Sequence, residues 1–433
     1  MPAFSRRDFA RLLALSGTAA VLPGALVARG RGFDDFDLDD RPLGPTPAEP
    51  DETFWRDVRA RFLVPRDVNF LNAANLCPAS LPAIEALERN LRLYEASPSP
   101  ETRTGLMKGR EESRKLLAEA LRVTPEEIVI TRNTSEASNL VSSGLDLKAG
   151  DEVLLFSDNH PSNLDAWKIK ARRFGFTVKV VDQVNPHPGD EYYLDAFTRQ
   201  MTDRTKVLGF THLTSTVGDL FPAKELCRRA RERGVLSLVD GAQSLGLIDV
   251  DLADMQPDFY AGSGHKWPCG PKEVGVLYVN KAVQPRLWPG IVSAYPGAVG
   301  FSKSFESFGQ RDEPAIIAFG EALRLQTRLG RPAIQKRARD LAEALLSGLR
   351  KIDGVKLWTH PDPGRSLSIV SFQPGSLDVT KLSAALYEKD RIAGAPRSGN
   401  DRGGLRFSPH FYNLHSEVER ALAAVQRYMK MGV

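Results

Sequence analysis

The stretch AGSGHKWPCGP, from Ala261 to Pro271, surrounds one lysine, Lys266, with glycine, serine and histidine. A lysine that only coats a solvated surface needs no such neighbours. Gly262, Gly264 and Gly270 permit backbone geometries and close approach that side chains forbid, while Ser263 and His265 bring hydrogen-bonding groups beside the amine. This setting suits an amine that is desolvated, partly neutral and pressed against a ligand, the state in which lysine is a nucleophile. An ordinary glycine-rich turn has the same local composition, so residues elsewhere must discriminate.

Four more polar loops carry groups that could meet such an amine. TRNTSEASN opens a helix with Thr134 and Ser135, where free amides, the helix dipole and two hydroxyls can hold a phosphate; a plain cap at Asn133 or Thr134 is the alternative. SDNHPSN offers His160, as a cover for a planar ligand or as a surface residue. TSTVG offers the hydroxyls of Thr214 and Ser215, for a ligand oxygen or for turn backbone. In VDGAQS, Asp240 ends an apolar strand, where a carboxylate is costly without a cationic partner, and Gln243 follows three residues later. A buried aspartate there would keep a pyridine nitrogen protonated and make the ring an electron sink; capping the next helix is its other use. Jointly, a phosphate site, an aromatic cover, an oxygen partner, a ring-nitrogen carboxylate and an amine specify pyridoxal 5′-phosphate, with Lys266 bonded to its aldehyde.

The elements that must position these loops are short apolar strands alternating with amphipathic helices. EIVIT, DEVLLF, TVKVVD, KVLGFTHL, VLSLVD, PDFYAG and VGVLYVN read as strands, with SEASNLVSSGL, SNLDAWKIKARRFG, YLDAFTRQM and AKELCRRARERG as helices between the first five. The pattern predicts an α/β fold whose mostly parallel seven-stranded sheet is covered on both faces. In such sheets ligands sit beyond the carboxyl ends of the strands, where the loops above fall. After Phe301 come two long helices, PAIIAFGEALRLQTRLG and PAIQKRARDLAEALLSGLRKI, and then mixed short elements. Expected boundaries are a signal at 1–28, a proline-rich acidic linker at 29–53, a large domain with its N-terminal arm at 54–300 and a smaller α+β domain at 301–433.

The chain has 433 residues, 42% hydrophobic and 26% charged, with a formal net charge of +4. That is an ordinary globular composition without a basic nucleic-acid face. Cys77, Cys227 and Cys269 are odd in number and widely spaced, so neither a zinc site nor a disulfide framework is expected. SRRDFARLLALSGTAAVLPGALVA pairs Arg6 and Arg7 before Phe9 and an apolar run. It resembles a twin-arginine export signal, with cleavage near Ala28 and a periplasmic or exported destination. No other run approaches a membrane span.

The order TRNTSEASN, HPSN, THLTSTVG, VDGAQS, GSGHKW and LRFSPHFYN resembles the class V aminotransferases of pyridoxal-phosphate fold type I, over about residues 66–430. That family includes cysteine desulfurases and isopenicillin N epimerase-like enzymes. The resemblance implies that Lys266 carries the cofactor, Asp240 pairs with the pyridine nitrogen, Gln243 reaches the ring oxygen and His160 stacks on the ring. It also implies that Thr134, Ser135, Ser263 and His265 bind phosphate, and that Arg406 grips the substrate α-carboxylate, a task suited to a guanidinium fork. FLNAANLCPAS resembles a substrate-facing loop, with Asn72 and Ala73 its candidates. SFGQRDEPAI resembles a motif that reaches a neighbouring subunit's phosphate, which implies a homodimer with the site at its interface and Gln310 as the contact. Two positions depart from the family pattern: Thr214 and Ser215 where asparagine is common, and Gln310 where threonine is common. No cysteine follows Cys269, so the thiol of a persulfide-forming desulfurase is missing from IAGAPRSGNDRGGLRFS. The remaining fates for an amino acid or small peptide are epimerisation at Cα, transamination and β-elimination including C–S cleavage. A non-catalytic exported binding module is the reading from another class, and it leaves the amine of Lys266 without a purpose.

Overall fold

The apolar runs between Ile128 and Val279 become strands of one sheet in the computed structural model, which describes residues 43–397 and 402–433. After a two-residue strand β1 (Asn69–Phe70) come β2 (Ile128–Thr131), β3 (Glu152–Phe156), β4 (Thr177–Val181), β5 (Thr205–Thr211), β6 (Leu236–Asp240), β7 (Phe259–Ser263) and β8 (Gly275–Val279). Strands β2 to β8 form a seven-stranded sheet in the order β2-β8-β7-β6-β5-β3-β4. Only β8 runs against its neighbours, and the other pairings are parallel. The fold is therefore the mostly parallel α/β sheet expected from the alternation of elements.

Every residue of β2, β3, β6, β7 and β8 is buried, as continuous apolar runs covered on both faces require. The side chains divide by the two-residue period of a strand. Ile128, Ile130, Leu154 and Phe156 join a core with the helices Pro100–Leu121, Ala223–Glu232 and Glu313–Leu329. Val129, Val153 and Leu155 join another with the helices Thr134–Gly144 and Pro161–Phe174, where Trp167 is fully buried.

A second, antiparallel sheet in the order β12-β13-β10-β9 combines β9 (Val355–Leu357), β10 (Val370–Pro374), β12 (Ala395–Arg397) and β13 (Gly404–Phe407). The helices Arg331–Leu349, Val379–Asp390 and His415–Met431 share its core. Strand β11 (Ile392–Ala393) pairs in parallel with β1, and Asn72 bridges to Ser408, so the segment after β1 is stitched along β13. That seam brings the N-terminal arm to Arg406. Leu43 is already buried in the core with Trp55 and Val58, so the chain lies against this body ahead of the helix Glu52–Arg59. The expected export signal lies outside the described residues. No described helix is long and apolar enough to cross a membrane.

Candidate active site

The loop after β7 holds Lys266 by backbone bonds. Gly264 N–H donates to Val274 O at 2.7 Å, Cys269 N–H to Lys266 O at 2.9 Å and Gly270 N–H to Gly264 O at 2.9 Å. Its glycines serve close approach rather than unusual dihedrals: a Cβ on Gly264 would lie 2.9 Å from the Val274 carbonyl, and one on Gly270 would lie 2.7 Å from the Phe319 ring. The left-handed residues of the loop are Cys269, at φ 57°, and Glu273, at φ 61°. Beneath the lysine, Trp267 is fully buried and donates from Nε1 to Gln243 Oε1 at 2.7 Å. Gln243 Nε2 donates in turn to Ala74 O at 3.0 Å, which ties the lysine loop, the loop after β6 and the N-terminal segment together.

Lys266 lines a cavity of about 470 Å³ with His160, Gln243, Arg406, Ser215 and Ala74. Asp240 is buried at the end of β6 and accepts the Ala242 N–H at 3.0 Å. Burial pulls the Lys266 pKa down, with Asp240 opposing and Arg406 reinforcing the shift. The amine is therefore a better nucleophile and proton acceptor than a solvated lysine.

His160 follows β3 and caps the helix Pro161–Phe174. Its Nδ1 accepts the Ser162 N–H at 3.3 Å and lies 2.8 Å from Ser162 Oγ. A backbone N–H can only donate, so Nδ1 is the acceptor and Nε2 carries the proton. Burial, with Lys266 next, lowers the pKa of this ring, which is neutral at neutral pH. Ser135 Oγ donates to Ser162 Oγ at 3.0 Å, so the chain Ser135–Ser162–His160 links the start of one helix to the imidazole.

At the helix start beside β7, Thr134 N–H donates to Ser263 Oγ at 2.9 Å, and Thr134 Oγ1 lies 2.7 Å from the same atom. Both residues are buried. This collection of an N-terminal amide and hydroxyls suits a phosphate. His265 is partly exposed, and burial followed by Lys266 and Lys272 holds its pKa down at about 4, so it is a neutral partner.

At the opposite end, Arg406 is 3% exposed. Its Nη1 donates to Ser215 O at 2.6 Å and its Nη2 to Asn72 Oδ1 at 3.2 Å, while Nε has no partner. Burial, then Arg397, pulls its pKa down to about 9, so the guanidinium remains a cation at neutral pH. A buried guanidinium held by neutral acceptors alone is suited to a ligand carboxylate. These groups together fit pyridoxal phosphate: an amine of reduced basicity, a carboxylate for the ring nitrogen, a donor-rich phosphate end and a cationic substrate end.

Lys266, His160, Gln243, Ser215 and Arg406 come together in the cleft, and Asn72 is bonded to Arg406 from beside it. Two expected residues stand differently. Thr214 is fully buried, and its Oγ1 accepts the Asp219 N–H at 2.9 Å, so its hydroxyl serves the turn. Ala73 is fully buried with its N–H on Ser408 O, and the next two residues, Ala74 and Asn75, line the cleft instead. Gln310, expected to reach a neighbouring subunit, lines a separate groove with Arg132 and Glu136 and accepts from Arg103 Nη2 at 3.3 Å. Asp158, Asn159, Thr216 and Arg397 also line the cleft and carry no motif that singles them out in the sequence. The position of Asp158 and Asn159 directly before His160 was the available signal.

The class V aminotransferase family model matches residues 70–421. Isopenicillin N epimerase of Amycolatopsis lactamdurans is 33% identical over 399 residues, covering 87% of this chain and 99% of that one. A probable cysteine desulfurase of Methanothermobacter thermautotrophicus is 29% identical, covering 87% and 98%. Among solved structures, a mutant of C-DES with glycine covalently linked to its pyridoxal-phosphate cofactor superposes with a TM-score of 0.79 at 25% identity, over 85% of this chain and 98% of that one. The complex of the cystine C–S lyase C-DES with cysteine persulfide gives 0.78, also at 25%, over 83% and 98%. A family match across most of the chain and a lysine, aspartate and arginine gathered where its chemistry needs them lead to one conclusion: the protein belongs to the class V aminotransferase family and is a pyridoxal-phosphate-dependent enzyme.

Proposed function

We propose that this enzyme moves the Cα proton of an amino acid or small peptide, as an isopenicillin N epimerase does. The observation that carries the reading is the convergence of Lys266, His160 and Arg406 on one cleft, with Asp240 buried close enough to act on both Lys266 and His160. When bound, the cofactor supplies the electron sink for charge left at Cα. Arg406 fixes the α-carboxylate and so orients the Cα–H bond. Lys266 Nζ, with its lowered pKa, accepts the proton. In the sheet, β6 with Asp240 has β7 and then Lys266 on one side, and β5, β3 and then His160 on the other. His160 is the second proton-transfer group of the cleft for inversion, its Nδ1 taking a proton from Ser162 Oγ as the Nε2–H is given up. All three cysteines are buried, and burial pushes the thiol of Cys227 up to about 12 and that of Cys269 well above the ordinary thiol range, which weighs against persulfide chemistry.

Incubating the enzyme with amino acids and short peptides in deuterated water tests the reading. Deuterium should enter at Cα with loss of stereochemical purity, and Lys266→Ala should abolish both. His160→Gln should retain exchange while slowing inversion. Absence of Cα exchange for every candidate would refute the proposal. The structural likeness to C-DES supports β-elimination at a C–S bond as a second reading, recognised by keto-acid release from substrates with a sulfur leaving group. Consumption of an added keto acid would identify transamination.

The same proposal includes export and dimerisation. Arg6, Arg7 and the apolar run behind Phe9 support the twin-arginine route, and replacing both arginines by lysine should leave the protein in the cytoplasmic fraction. Exposed Trp288, Val292 and Tyr295, close in sequence to the Gln310 segment, support a homodimer, to be read by light scattering.

A further inference from the structure

The cleft holds one cation more than a single carboxylate can use. Strand β12 pairs with β13 so that Ala395 faces Arg406 and Arg397 faces Gly404. Arg397 lies two residues from Ala395, so its side chain leaves the same face of the sheet as Arg406. The two are diagonal neighbours, with Cα atoms about 7–8 Å apart. Both line the cleft with Lys266. Like charges this close repel unless anions stand between them.

Among the described residues no carboxylate pairs with either guanidinium, and Asp158 offsets the charge of Arg397 only from a distance. Asp158 is taken by Arg402, from Nη1 to Oδ2 at 3.0 Å and from Nη2 to Oδ1 at 3.2 Å, and the Thr216 hydroxyl donates to it as well. Asp165, the other carboxylate on the lining, is exposed on its helix. Among the described residues neither Arg397 nor Arg406 has a carboxylate within 4.0 Å, and the Arg397 side chain makes no hydrogen bond. Partial burial of Arg397 adds to the cost of leaving it so.

We propose that Arg397 is a second anion site and that the substrate is a free α-amino acid whose side chain ends in a carboxylate. The α-carboxylate takes Arg406, and the distal carboxylate takes Arg397. The spacing of the two positions favours a side chain longer than that of aspartate. This assignment rests on the reading of Arg406 given above and goes beyond it by naming the substrate class. Arg397 sets specificity and takes no part in proton transfer.

The test is titration of the holoenzyme with glutamate and its longer homologues against their ω-amides, following the visible absorption of the cofactor. The acids should bind at least about tenfold more tightly than the amides, as a charge-assisted bond requires. In Arg397→Gln that ratio should fall to about one, and Arg397→Lys should retain part of it, with circular dichroism confirming the fold of both. Equal binding of acids and amides by the wild type, or a ratio that survives Arg397→Gln, overturns the assignment while the Cα chemistry stands. If neither class perturbs the spectrum of the loaded enzyme, the proposed amino-acid chemistry fails and the second site fails with it.

Discussion

Arg114, in the helix Pro100–Leu121, and Arg406, in β13, are both buried, at 0% and 3% exposure, yet their surroundings differ in kind. Arg114 Nη2 meets Glu306 Oε2 at 2.8 Å, Nε meets Glu111 Oε2 at 2.8 Å and Nη1 donates to Ile128 O at 2.8 Å. Burial works against its charge, but Glu306 and Glu111 together more than compensate and its pKa rises. Arg406 has only the Ser215 carbonyl and the Asn72 amide oxygen, and its pKa falls. A cation with its own carboxylate fastens helix to sheet. One buried with neutral acceptors alone holds charge in readiness for a ligand.

The largest effect should come from breaking the satisfied pair. Glu306 also accepts the Ile130 N–H at 2.6 Å and stands 3.6 Å from Arg311, so Glu306→Gln takes the carboxylate from buried Arg311 and leaves buried Arg114 with Glu111 alone. The loss should be about 3–5 kcal/mol, read as a large drop in melting temperature. Arg406→Gln should do the reverse. Melting temperature should hold or rise, because an unpaired buried charge is removed, while substrate affinity falls about thirtyfold or more. Equal losses of stability in the two variants would erase the distinction between them.

How far the sequence foretold this contrast depends on the range of the contacts. Strands β2 to β8 follow the apolar runs because burial on both faces imposes a local pattern. Lys266, Asp240 and His160 are legible because each falls at or just beyond the end of a strand that the pattern marks. The arginine end was harder to read. Arg402 reaches Asp158 across 244 residues, and Arg397 acquires its meaning only from the register of β12 on β13. IAGAPRSGNDRGG offers no periodicity, so in sequence the thiol it lacks is more legible than the guanidinium groups it carries. Thr214 misled for a related reason: a hydroxyl after a strand serves a ligand or a turn equally well, and the bond to Asp219 N–H decides for the turn.

Asp219 sharpens the comparison with a buried group of opposite sign. It is fully buried behind Thr214, Gln183 Nε2 donates to its Oδ2 at 3.3 Å, and Oδ1 has no partner. Burial is the main cause that lifts its pKa to about 7, with Gln183 opposing. The folded-state value lies above that of an unfolded aspartate, so between the two the native protein holds more protons than the unfolded chain. Stability from this group is therefore greatest at low pH, is lost as pH rises towards 7 and stays low above it. Asp219→Asn removes the titration. Its melting temperature relative to wild type should climb between about pH 5 and pH 8, by an amount equivalent to roughly 2 kcal/mol, and level off beyond. A pH-independent difference between the two proteins would mean that Asp219 is ionised in the fold, held by the neighbouring Arg402, and would move it from the protonated class to the paired class that Glu306 represents.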